Sequence, residues 1–326
     1  MGTATRVPQR RDVASWRAER AQEGDELSAE EAVAALRRHG GWSLVRDSFI
    51  RFRYADGFSH SRALALQTVL AIVPLAIAFI GLSGALHTDA VGRIAELTIR
   101  QLASGPSREV VDEALAQSRH RPGDGSQAAL WLGLLFSVVN VTTALCQVER
   151  GANRIYGTER DRPFLPKYAR GLVMSVLAGL PLGLSFCVTV LGAHLSRAVT
   201  EVYHLEPGTA RAWDLLRWPV GVLLALLATS AIFRLSPRRT QPGYTWLAFG
   251  ATVHLTLWLL ATWGLSLYVG AGGSFTTVYG PLSAFVSLLL WSYLTSLALF
   301  LGLAFAAQLE AARAGVSEPA TADPGV

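Results

Sequence analysis

Six stretches of this chain are apolar for about as long as a helix needs to cross a hydrocarbon core roughly 30 Å thick. They run approximately over Ala63–Leu86, Ala128–Cys146, Gly171–Leu195, Leu216–Leu235, Thr245–Val269 and Tyr279–Ala307. Lipid offers no partner to backbone N–H and C=O groups, so runs of this length are expected as helices. Their lack of strict polar/apolar alternation argues against a barrel. Pro74, Pro181 and the Tyr279-Gly280-Pro281 turn should bend or start helices where they fall.

The hydrophilic stretches carry patterns of their own. Ser28 followed by Glu31 matches a capping box, and Gly40 with Gly41 supplies the stop, which predicts a short helix between them. Trp42, Val45, Phe49 and Phe52 then recur at helical spacing beside Arg46, Arg51 and Arg53. Such a segment either lies along the inner leaflet, with rings in the headgroup zone and arginines on phosphate, or packs under the bundle. After the first apolar run, Ile94, Leu97 and Leu102 suggest one amphipathic helix, and Ser107 caps a second with Val110, Val111 and Leu115. The two form an expected exterior hairpin. Residues 1–25 mix Arg, Glu and Gln without an aliphatic pattern and are expected to be disordered, as are residues 311–326. The expected organisation is a tail over 1–25, cytoplasmic and interfacial helices over 26–60, a six-helix transmembrane domain over 61–310 and a tail over 311–326.

Composition agrees with this all-α, polytopic reading. Of 326 residues, 51% are hydrophobic and only 16% charged, far from the balance of a soluble domain. Eleven arginines precede the first run, and Arg150, Arg154, Arg160, Arg162, Lys167 and Arg170 follow the second. Arg234, Arg238 and Arg239 cluster at the end of the fourth. The opposite loops are poorer in basic residues. The positive-inside rule therefore predicts a multi-pass inner-membrane protein with both termini cytoplasmic. It also accounts for the net charge of +5 without a nucleic-acid partner. No cleavable signal opens the chain, so the first span is expected to act as the anchor. Cys146 and Cys187 fall within or beside spans and are expected to pack as small hydrophobes.

Candidate chemistry concentrates on the second run. Asn140, Thr143, Gln147, Arg150 and Arg154 recur every three or four residues and share one helix face, which should avoid lipid. That face either lines a polar path, with the arginines drawing an anionic headgroup at the inner surface, or bonds neighbouring helices while the arginines only enforce topology. Glu149 and Glu159 are available to pair with those arginines. Gln67 and His254 are polar positions inside other spans, open to the same two readings. Gly250, Ala251, Ser283, Ser287 and Gly302 permit close helix packing. The Gly270-Ala271-Gly272-Gly273-Ser274 stretch lacks the Lys of a phosphate loop and reads as a flexible turn. The seven histidines form no His-x-His, HExxH or CxxC pattern, so neither metal, cofactor nor catalysis is expected.

Two blocks carry a family resemblance. "NRIYGTERDRPF" at 153–164 and "VYGPLSAFVSLLLWSYLTSLALFLG" at 278–302 resemble the YihY/BrkB family of bacterial inner-membrane proteins, and "RALALQTVLAIVPL" at 62–75 fits its first helix more loosely. The resemblance spans about residues 45–310. It implies six transmembrane helices and a cell-envelope role. Members have often carried a ribonuclease label, for which these residues offer no clustered carboxylates or histidines. Ala304 and Ala306 stand where the family usually has a Glu and an Asn, and Gln67 and Ala71 where an aromatic and a Ser are usual. The expected function is a non-ATP-driven transporter or flippase of a lipid-like or envelope-related amphiphile, with Arg150, Arg154 and Arg160 engaging an anionic group. Asn140, Thr143, Gln147 and Gln67 would line the path, with His254 as an outlying candidate. Membrane lipids, including anionic headgroups at the inner leaflet, are the expected partners. The alternative is a structural protein that organises envelope machinery through its N-terminal segment.

Overall fold

The structure is a computed structural model that describes residues 14–25, 27–85, 124–158, 160–191, 207–271, 278–316 and 318–321. No strand occurs among them. Three short helices open the chain: α1 (Ala14–Ala21), α2 (Ala29–His39) and α3 (Gly41–Tyr54). Six long ones follow: α4 (Gly57–Ala85), α5 (Asp124–Ile155), α6 (Phe164–Phe186), α7 (Pro207–Leu235), α8 (Tyr244–Ala271) and α9 (Ser283–Arg313). A π-helical turn over Cys187–Leu191 extends α6, and a 3-10 turn over Gly280–Leu282 leads into α9. Five helices among the described residues, α5 to α9, are long and apolar enough to cross a membrane. The 29-residue α4 carries the first apolar run as far as Ala85.

Each long helix packs against the next, and α9 returns to α4, so the six close into a ring. Helix α9 is also the hub against which α1, α2 and α3 rest. The contiguous core lies at one end, where α5, α7 and α9 finish and α4, α6 and α8 begin: Leu44, Phe52, Val148, Ile155, Phe233, Trp246, Phe300, Leu303 and Leu309 all belong to it. Most of the chain's described basic residues gather here, and we refer to it as the basic end.

Local signals behave as their chemistry dictates. Ser28 Oγ accepts from the Glu31 N–H at 3.3 Å while the Glu31 carboxylate accepts from the Ser28 N–H at 3.0 Å, completing the capping box of α2. Gly250 and Gly302 mark the closest approach of α8 and α9: a Cβ on either would lie 2.6 Å from the other's carbonyl oxygen. Pro74, Pro181 and Pro219 all sit inside helices.

Several expectations differ from what is observed. The tail expected to be disordered over 1–25 contains α1, with Ser15, Trp16 and Glu19 buried against the bundle. Residues 1–13 lie outside the described part. The helix of the second run continues past Cys146 to Ile155, as the shared face of Asn140 to Arg154 requires, with Gln147 and Glu149 buried and Arg150 exposed at the basic end. The tail expected over 311–326 begins with the last turn of α9, and Ala320 beyond it is buried. The expected exterior hairpin and most of the glycine-rich stretch after α8 lie outside the described residues.

Candidate functional site at the basic end

The end of α5 sets the geometry. The last turn of any helix leaves carbonyls without partners. Here the chain turns through Gly157 at φ +66°, a left-handed conformation that favours glycine, and the Thr158 N–H reaches the Asn153 carbonyl at 2.7 Å while the Gly157 N–H reaches that of Arg154 at 3.2 Å. The Ile155 carbonyl is satisfied from elsewhere. Arg51 of α3 donates to it from Nε at 3.1 Å and Nη2 at 3.0 Å, and Trp16 of α1 from Nε1 at 3.3 Å. A guanidinium at a helix C-terminus also meets the negative end of the helix dipole.

Arg51 is fully buried and pairs with Glu19: its Nη2 donates to one carboxylate oxygen at 2.7 Å, and its Nη1 lies 2.5 Å from the other. Its Nη1 lies 3.5 Å from Gln308 Oε1 of α9. A second buried pair stands beside it: Arg239, from the loop between α7 and α8, grips Glu310 of α9 at 2.6 and 3.3 Å and donates to the Glu19 carbonyl at 3.3 Å. The Tyr156 ring lies between the two cations, 4.8 Å from the Arg239 guanidinium carbon and 5.9 Å from that of Arg51. Burial pushes the Glu19 carboxyl up, opposed by the Arg51 charge and its hydrogen bond. Burial also pushes the Tyr156 phenol up, so it stays neutral. Five segments distant in sequence thus meet in one ion cluster.

Removing the Trp16 ring should open this corner. The ring occupies the space above Gly157 that a Cβ there would need. Trp16→Ala is expected to speed trypsin cleavage at the exposed Arg17 and Arg20 by about tenfold, with limited proteolysis of the purified protein as the readout.

A second knot ties the loop after α5 to the loop after α7. Arg162 pairs with the buried Glu149 at 3.0 Å and donates to the Ser236 and Pro237 carbonyls at 3.1 and 3.0 Å. Asn153 is buried and works in both directions: its Nδ2 donates to Asp161 at 2.9 Å, and its Oδ1 accepts from the Arg238 N–H at 2.8 Å. Lys167 reaches Asp161 at 2.7 Å. Burial alone would raise the Asp161 carboxyl, but the Lys167 and Asn153 hydrogen bonds outweigh it and hold the group below the usual carboxylate range. The "NRIYGTERDRPF" block therefore joins helices through Asn153, Asp161 and Arg162.

The residues singled out from the sequence occupy different surroundings. Asn140 and Thr143 are half-buried, and each bonds a carbonyl of its own helix one turn back, at 2.8 and 2.7 Å. Gln147 is buried and its Nε2 lies 3.0 Å from Nδ1 of His60 on α4. Burial pushes the His60 imidazole down, Asp56 opposes it, and Arg154 and Arg150 add to it, which favours the neutral ring with Nδ1 as acceptor. Arg150, Arg154 and Arg160 are exposed, Arg150 within 3.5 Å of Asp161. Because α4 and α5 run antiparallel, the His60–Gln147 contact sets Gln67 at the level of Asn140, about 10 Å further into the bundle. His254 is not part of this group: it is buried on α8 against Gly302 of α9, and its Nδ1 has no hydrogen-bond partner among the described residues. Cys146 is buried and Cys187 exposed. His60, Glu19 and Glu310 carried no signal in the sequence beyond being polar; Arg51 and Arg239 stood out there only as basic residues, and Asn153 and Asp161 only as members of the block that carries the family resemblance.

The fold and these end-capping ion clusters define a polytopic α-helical membrane protein. A family model described as Virulence factor BrkB matches residues 48–324, and the chain belongs to that family. It is similar to a Bacillus subtilis protein named Putative ribonuclease-like protein YfkH, with 21% identity over 80% of this chain and 92% of the relative. It is also similar to the UPF0761 membrane protein RC1_0578 of Rhodospirillum centenum, at 27% identity over 83% of this chain and 58% of the relative. A UPF0761 membrane protein of Chromobacterium violaceum is 25% identical over 76% of this chain and 57% of the relative. The chain thus spans little more than half the length of these two relatives. No solved structure matches.

Proposed function

We propose that this BrkB-family membrane protein is a non-ATP-driven transporter or flippase of a lipid-like anionic amphiphile, lodged in the inner membrane with its basic end and both termini in the cytoplasm. The proposal assigns it no catalysis, no cofactor and no nucleic-acid partner. The observation that carries it is the His60–Gln147 bond between α4 and α5, with exposed Arg150 and Arg154 on its outer side and the level of Gln67 and Asn140 on its inner side. Cations at a mouth attract an anionic headgroup, and polar side chains behind them lower the cost of carrying it past hydrocarbon. Arg160 lies exposed in the loop that follows α5 and adds to the same field.

The test is reconstitution of the full chain in liposomes containing a fluorescent phosphatidylglycerol, with dithionite bleaching as the readout of lipid crossing. The expected result is crossing faster than in empty liposomes, reduced several-fold by Arg150→Gln with Arg154→Gln. Crossing no faster than in empty liposomes overturns the reading.

A second reading, a structural protein that organises envelope machinery, is favoured by the engagement of Asn153, Asp161 and Arg162 in helix-to-helix contacts. It predicts that neutralising Arg150 and Arg154 leaves the cellular role intact while removing residues 1–13 abolishes it. Deletion through residue 40 would not discriminate, because Trp16, Glu19, Leu27 and Ala35 belong to the packed interior.

A further inference from the structure

Helix α3 has two faces of opposite character. Leu44, Asp47, Ser48, Arg51 and Phe52 are buried toward the bundle, where α3 packs on α9. The other face presents Trp42 at 81% exposure, Val45, Arg46 at 69%, Phe49 and Arg53. These positions follow at i, i+3, i+4, i+7 and i+11, so they form one stripe along the helix, with an arginine one turn to either side of Phe49.

The stripe runs on into a surface that faces lipid. Only Ala55 and Asp56 separate α3 from α4. Phe49 meets Phe58 of α4 edge-on at 6.4 Å, and around the buried Phe52 the first stacks at 6.3 Å and the second packs edge-on at 5.0 Å. From Phe58 the exposed side of α4 continues through Arg62, Leu66 and Leu70 at intervals of four residues. Leu66 and Leu70 belong to the first apolar run, whose length within α4 matches a hydrocarbon core; with that run as a span, the outer face of α3 lies on the lipid side of the bundle, at the level where hydrocarbon gives way to headgroups.

We propose that α3 is a lipid-binding helix embedded in the interface of the leaflet at the basic end. Trp42, Val45 and Phe49 enter the boundary between headgroups and acyl chains, and Arg46 and Arg53 engage the phosphates of anionic lipids. Three features select lipid over a protein partner. A large aromatic and two apolar side chains side by side with arginines match the amphipathic pattern of the interfacial zone. The surface is continuous with a lipid-facing one. Its charge is complementary to an anionic leaflet, and each basic residue near such a surface contributes about 1 kcal/mol. The proposal is independent of whether the protein moves any lipid.

The experiment uses the full chain in liposomes, with Val45→Cys as the reporter position in a Cys187→Ser background and Cys146 buried. The cysteine carries an NBD fluorophore, and the bilayer contains phosphatidylcholine or phosphatidylglycerol spin-labelled high on the acyl chain. The expected result is strong quenching by the spin-labelled lipids and little by aqueous iodide. Quenching by labelled phosphatidylglycerol should exceed that by labelled phosphatidylcholine by about twofold or more, as the charge of two arginines near the surface implies. Arg46 Nε also donates to Asp47 at 3.3 Å, a pair exposed on the arginine side and of small weight, so Arg46→Gln with Arg53→Gln should abolish that excess while shifting the unfolding midpoint only slightly. Iodide quenching without lipid quenching, including protection that appears only when a second protein is bound, overturns the interfacial placement. Equal quenching by the two lipids, or an excess that survives the double substitution, overturns the role given to the arginines.

Discussion

Arg239→Ala is expected to lower the unfolding free energy by about 3–5 kcal/mol, the cost of leaving one member of a buried ion pair unpaired. Glu310 is fully buried on α9, and its carboxylate has both terminal guanidinium nitrogens of Arg239, Nη1 and Nη2, as donors. With the arginine gone, the charge has neither water nor a hydrogen-bond donor of equal strength. The same side chain donates to the Glu19 carbonyl and lies over the Tyr156 ring, so its loss also loosens α1. Arg239→Lys should recover only part of the loss, since an ammonium does not offer the planar fork. The diagnostic measurement is a double-mutant cycle. Arg239→Ala combined with Glu310→Gln should cost less than the sum of the single changes, because the second removes the charge that the first strands. Denaturant unfolding in detergent micelles provides all three values. Additive effects below about 1 kcal/mol each would mean that water reaches the pair and that it behaves as a surface salt bridge.

That cluster also explains where sequence reading stops. Spans are legible because an apolar run of twenty residues has one stable form in lipid, and the α2 cap is legible because Ser28 and Glu31 are three residues apart. Partners of the ion clusters are not local: Arg51 meets Glu19 across 32 positions, the Ile155 carbonyl across 104 and Gln308 across 257. Nothing in a periodicity announces such a pairing. Helix α1 escaped for the same reason. Half of its eight residues are polar and three of the others are alanines, and it is held by one ring and one carboxylate that find their sites only in the folded bundle. An isolated helix so short would not persist in water.

The arginines show the second limit. A basic loop beside a span reads as one charged patch, yet its members do different things here. Arg162 is consumed by Glu149 and two carbonyls, Arg238 by the backbone of Arg160 and Asp161, and Arg170 by the Leu235 carbonyl, while Arg150, Arg154 and Arg160 face outward. Charge count gives orientation by the positive-inside rule; burial decides which charges remain for a ligand. The departure at Ala304 and Ala306 has a comparable reading. Both are fully buried, and Ala306 sits where a Cβ on Gly250 would strike it, so a bulkier polar residue at 306 needs a wider separation of α8 and α9 than this chain has.

That separation is itself testable, and the sign of the result decides the matter. In an ordinary helix interior, replacing Gly by Ala adds up to about 1 kcal/mol of stability through backbone entropy. At Gly302 the added methyl would lie 2.6 Å from the Gly250 carbonyl oxygen and 2.8 Å from the His254 Cβ. The first obstacle is backbone, so relief requires the two helices to move apart, and Gly302→Ala is expected to destabilise by about 1–3 kcal/mol. Gly250→Ala meets the reciprocal obstacle, the Gly302 carbonyl oxygen at 2.6 Å, and should cost a similar amount. Once either change has parted the helices, the second methyl enters space already opened. The double variant should therefore lose clearly less than the sum of the two, again by unfolding in micelles. A stabilising Gly302→Ala would mean that α8 and α9 do not approach closely at this crossing, and the buried position of His254 beside Gly302 would fall with it.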